Sequence, residues 1–172
     1  MDAADRLLAD LAAWDAARSR QDEAWLRQQA EEEARFTGLA LDLAEQADAV
    51  TVRTTTGRQH HGHVVAVAED FLVMRPAGGA PVFLPYAAIV IVRPAAASDT
   101  PSSRLPLLGM RLVHALAALS AERPRVSIVV HGGEATTGEL RSVGVDVATL
   151  RLEGGATVYV RVDAVAEVVL FG

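Results

Sequence analysis

The chain has 172 residues, no cysteine, and 16 basic against 22 acidic side chains, for a net charge of −6. That length admits one domain or two small ones with a real core, and the absence of thiols excludes disulfides and thiolate zinc sites. Acids run through the opening "MDAADRLLADLAAW", and the most apolar later run, "LLGMRLVHALAAL", is short and broken by Arg111, so neither a signal peptide nor a bilayer span is expected, and the pattern predicts a cytoplasmic protein.

In chain order, residues 1–35 read as an acidic helical arm. Leu7, Leu11, Trp14 and Ala17 recur at helical spacing, Trp25 follows, and neither Pro nor Gly appears before Gly38. Such a stripe is too long for one small domain to cover, so a helix-to-helix contact within or between chains is expected. Residues 1–46 carry five Arg against eleven Asp plus Glu, whereas the eleven Arg of the remainder meet eleven acids. The body is neutral and the arm holds the excess charge.

From residue 36 the chain repeats itself. Adding 76 to positions 50–92 gives twelve identities in 43 positions without a gap, among them Val50/Val126, Gly57/Gly133, Gly62/Gly138, Asp70/Asp146, Arg75/Arg151 and Val92/Val168. Within each copy the alternation of apolar and polar residues, interrupted by Gly-bearing turns, predicts five short strands and leaves no room for crossover helices. A helical pattern precedes each copy, "FTGLALDLAEQ" and "LLGMRLVHALAALSAE". The predicted fold is mainly β with α: a long N-terminal helix, then two tandem five-stranded antiparallel barrels of SH3-like kind, each with a leading helix. The expected boundaries are 36–92 for the first repeat, 93–106 for a linker and 107–172 for the second repeat.

The residues that carry a resemblance are Gly62, Val64, Val67, Asp70, Leu72 and Met74, with the brief "PYAA" turn into Ile89 and Val92. In the second copy they are Gly138, Leu140, Val143, Asp146 and Leu150, then "VDA" into Val165 and Val168. Over residues 36–92 and 112–170 the chain resembles the Sm-like superfamily. The resemblance implies pairing of strand four of one unit with strand five of the next, and single-stranded RNA binding in many members. The stretches at the RNA-contacting positions, "EDFLVM", "FLPYAAI", "VDVATL" and "YVRVDAV", depart from the family's polar loop, its Arg-Gly motif and its Tyr-Lys-His signature, with Arg161 the one basic residue there.

The candidate sites follow from these elements. "RQHHGHV" places His61 and His63 on one strand face and His60 on the other, fewer than the three or four ligands a metal site needs, so a solvated face is expected and no metal or cofactor. Asp70 and Asp146 read as turn-capping aspartates. No nucleophile–base spacing and no phosphate loop occurs, so no enzyme and no small-molecule substrate is expected. Open sheet edges remain, and they need covering or pairing. Val158, Tyr159, Val160 and Arg161 on strand four of the second copy, and Ile89, Val90 and Ile91 on strand five of the first, are the expected contact strands. Pro85 would shorten strand four of the first copy, so strand four of the second is the expected better acceptor. The expected function is assembly of partners or sister chains through these edges and the arm. RNA binding through Arg53, Arg58, Arg75, Arg151 and Arg161 is the alternative.

Overall fold

The computed structural model describes residues 36–46, 49–95 and 107–171. The expected arm helix, with Leu7, Leu11, Trp14 and Trp25, lies outside them, as do residues 96–106 of the expected linker.

Each repeat opens with a helix, α1 (Phe36–Gln46) and α2 (Leu112–Ser120). Ala40 and Ala44, one turn apart, are buried on α1, and Leu112, Ala115 and Leu116 are buried on α2. The first repeat then supplies β1 (Val50–Thr54), β2 (Gln59–Ala68), β3 (Phe71–Pro76), β4 (Val82–Pro85) and β5 (Ile89–Pro94). A short β6 (Leu107–Leu108) pairs in parallel with the end of β2. The second repeat supplies β7 (Arg125–Val130), β8 (Ala135–Val143), β9 (Val147–Arg151), β10 (Thr157–Arg161) and β11 (Val165–Phe171). Single 3-10 turns, Tyr86–Ala88 and Val162–Ala164, join strands four and five of each repeat. Helix α1 packs on β2, and α2 packs on β8.

The ladders recur at the offset of 76. Val50 opposes Gly62 and Val126 opposes Gly138, Val64 opposes Met74 and Leu140 opposes Leu150, and Val52 opposes Val92 as Ile128 opposes Val168. Even the bulges repeat, at Val90 and at its equivalent Ala166. The two glycines of strand two explain their own recurrence. A Cβ on Gly138 would lie 2.7 Å from the Arg151 carbonyl oxygen, and one on Gly62 would collide with that of Arg75. Only glycine lets the neighbouring strand come so close.

The expected pair of separate barrels is corrected by the strand order. Ten strands form one continuous path, β10-β9-β8-β7-β11-β4-β3-β2-β1-β5, joined at β11–β4. The physical cause is the one that makes edges costly: β4 and β11 would each present unpaired backbone groups, and pairing them satisfies both inside one chain. The apolar cores follow the merger. Phe71 and Val73 of the first repeat belong to the cluster built around Leu116, Ile128 and Leu150 of the second, while Val169 packs against the cluster of the first.

Candidate functional site

The junction between the repeats is a short ladder. Val168 opposes Phe83, Val169 opposes Val82, and the Leu170 amide donates to the Pro81 carbonyl at 3.0 Å. Contrary to the sequence-based expectation, the strand that accepts a strand five within the chain is β4, which contains Pro85. Pro85 does not interfere because it lies beyond the paired residues and faces Phe71 of β3 instead.

The two ends of the sheet path are β10 and β5, which carry the expected contact residues Val158, Tyr159, Val160 and Arg161, and Ile89, Val90 and Ile91. By the offset, β10 is the counterpart of β4 and β5 is the counterpart of β11. Side chains covered at the junction are uncovered at these ends. Ala166 is fully buried while Val90 is 53% exposed, and Phe83 is half-buried and stacked on Phe71 while Tyr159 is 71% exposed.

Three further features lie where the repeats meet. The Glu167 carboxylate, fully buried, accepts from His60 Nε2 at 2.8 Å and sits 3.3 Å from Arg58 Nε, and its Oε1 has no partner among the described residues. Asp70 binds the start of α2: its Oδ1 accepts the Leu112 amide at 2.7 Å and its Oδ2 accepts Arg111 Nε at 3.1 Å. Asp70 therefore secures an element of the other repeat, rather than capping its own turn as the sequence led us to expect. Beside it runs a groove of about 500 Å³ whose lining includes Glu69, Asp70, Tyr86, His131, Asp146 and Asp163. Tyr86 donates its hydroxyl to the Ala68 carbonyl at 2.7 Å, and burial raises its pKa above the ordinary value. Asp146 is exposed.

The arginines expected to touch RNA do not gather into one cationic surface. Arg58 is committed to Glu167 and Arg161 is paired with Asp163. Arg53 stands on β1 opposite Gln59, and Arg75 on β3 opposite His63. Arg151 lines a shallow depression with Arg123, Arg125, Glu139 and Glu153. There Arg125 meets Glu153 at 2.6 Å, and Arg141, bonded at 2.6 Å, holds the Glu139 carboxyl below its ordinary pKa. Of the histidines, His60 serves Glu167, His61 lies 3.0 Å from the Thr51 hydroxyl, and His63 is exposed. No group of three or more potential metal ligands occurs among the described residues, nor does any helix among them have the length and apolarity to cross a membrane.

Sequence reasoning missed Glu167. Its signal was the one charged residue in "AVAEVVLF", at a position where the first repeat has Ile91. No protein-family model and no curated protein matches the chain.

Proposed function

We propose that this is a non-catalytic assembly protein that joins further copies of itself by adding β5 of one copy to β10 of the next. The observation that carries the reading is the equivalence of these open strands to the pair already joined at β11–β4, together with the exposure of Val90 and Tyr159 where their counterparts are covered. Open edges of this kind are templates for strand addition. Asp146 supports the same contact. Its counterpart Asp70 holds Arg111 and the Leu112 amide, and the offset maps those two residues onto Arg35 and Phe36. A second copy seated on β10 would bring its own Phe36 amide toward Asp146. The resemblance to the Sm-like superfamily belongs to this proposal, supported by the strand-four to strand-five pairing at the junction.

Light scattering across micromolar to near-millimolar concentration tests the reading. The expected result is a mass that rises above one chain, and Tyr159→Pro should lower it more than Tyr159→Ala does, because proline removes a backbone donor as well as the ring. A compact monomer throughout would overturn it. In the same experiment, single-stranded RNA at two salt concentrations reports on the alternative, since phosphate contacts weaken steeply with salt.

A further inference from the structure

We infer that Glu167 is a matching key that decides which strand five docks on which strand four, so that copies add only in alternating order, first repeat to second. For contacts between copies, the inference rests on the assembly reading above.

The key is visible where the repeats already meet. Glu167 of the second repeat is fully buried between the two, and its partners, His60 at 2.8 Å and Arg58 at 3.3 Å, belong to the first. A carboxylate removed from water without a cation beside it carries a large desolvation cost. Glu167 therefore tolerates burial only against a surface that presents these two side chains.

The offset of 76 shows that the other strands lack the matching parts. The counterpart of Glu167 on β5 is Ile91, and the counterparts of Arg58 and His60 in the second repeat are Glu134 and Thr136. Four pairings of a strand five with a strand four can then be compared. Placing β11 on β4 joins Glu167 to His60 and Arg58, and this is the pairing present. Placing β5 on β10 sets neutral Ile91 beside Thr136 and Glu134, burying no charge on the incoming strand. Placing β11 on β10 would bury Glu167 against Glu134, two carboxylates with no cation. Placing β5 on β4 would cover His60 and Arg58 with Ile91 and leave both without an acid. Two combinations are compatible and two are penalised, and the compatible ones always alternate the repeats. Discrimination by a mismatched charge is a general way to reject a near-identical partner.

Two experiments on the full chain test this, one at each junction. At the outer contact, Ile91→Glu sets a carboxylate against Glu134 and should weaken self-association by roughly tenfold or more, as juxtaposed like charges do. Adding Glu134→Arg and Thr136→His should restore it, and Ile91→Gln should weaken it less than Ile91→Glu. Equal losses for Gln and Glu without rescue would overturn the key there. At the inner junction, Arg58→Glu with His60→Thr gives the first repeat the residues of the second. The Leu170 amide, bonded to Pro81, should then exchange with solvent roughly tenfold faster or more, while amides of the β7–β8 ladder keep their protection. Adding Glu167→Ile should slow the exchange again, and an unchanged Leu170 rate would overturn the inference. A wild-type chain that stays monomeric would remove the assembly reading alone, because the inner test needs no second copy.

Discussion

At the scale of single residues, Tyr86 ties three parts of the first repeat. Its ring meets Phe36 of α1 at a centroid distance of 5.0 Å, its hydroxyl donates to the Ala68 carbonyl at the end of β2, and its amide donates to the Asp70 carbonyl. Tyr86→Phe keeps the ring and removes the hydroxyl, so it should cost about 1 kcal/mol in denaturant unfolding. The raised pKa sets a pH dependence as well. Folding favours the neutral phenol, so the contribution is complete below the unfolded value near pH ~10 and is lost as pH rises through the folded value. Wild-type stability should therefore fall more steeply than that of Tyr86→Phe above about pH 10. Gly138 makes the complementary case, since a methyl there would stand 2.7 Å from a backbone oxygen of β9. Gly138→Ala should destabilise by roughly 1–3 kcal/mol through forced strand separation, whereas Gly132→Ala, with open space around it, should not.

At the scale of elements, the two aspartates at equivalent turns separate by what they hold. Asp70 binds the first turn of α2, so Asp70→Ala should cost about 1 kcal/mol, within the range of lost helix caps, and lower the melting temperature. Asp146 is exposed, and Asp146→Ala should leave melting unchanged while weakening self-association. This division was not legible in the sequence, where the recurrence of Asp70 and Asp146 pointed to a shared local duty. Their side-chain roles diverge because "LLGMRL" enters α2 beside the first repeat and its Met110 carbonyl accepts the Glu69 amide, a long-range contact that no local pattern encodes. The five-strand rhythm of each copy, its hairpin glycines and its register were legible, because period-two alternation and turn chemistry are local. Pro94 shows a further difference between equivalent strands. Its counterpart Leu170 donates to Pro81, and a proline has no such donor. Pro94→Leu should therefore tighten self-association by roughly two- to tenfold, the value of one added hydrogen bond.

At the scale of the whole molecule, the sequence showed two similar units but not that they share one sheet. The cause lies in pairing between strands separated by more than eighty residues, Val82 and Phe83 with Val169 and Val168, selected by a buried charge rather than by periodicity. The proposed contact between copies inherits a definite register from that ladder, and this makes it testable residue by residue. Shifting each partner by 76 sets Tyr159 opposite Val92 and Val158 opposite Arg93. Because Leu170 and Pro81 are joined by a hydrogen bond, alternation along an antiparallel ladder makes the Val168–Phe83 position a hydrogen-bonded pair and the Val169–Val82 position a non-hydrogen-bonded one. The latter brings side chains closer, within the reach of a disulfide. Its equivalent between copies is Val158 with Arg93. The chain contains no cysteine, so one engineered pair reports without background. Val158→Cys on one chain mixed with Arg93→Cys on another should form a covalent dimer under mild oxidation, and Val158→Cys mixed with Val92→Cys, one position out of register and facing the opposite side, should form far less. Equal yields from the two mixtures would mean that copies meet in some other way, because a one-residue slip moves every side chain to the other face of the sheet.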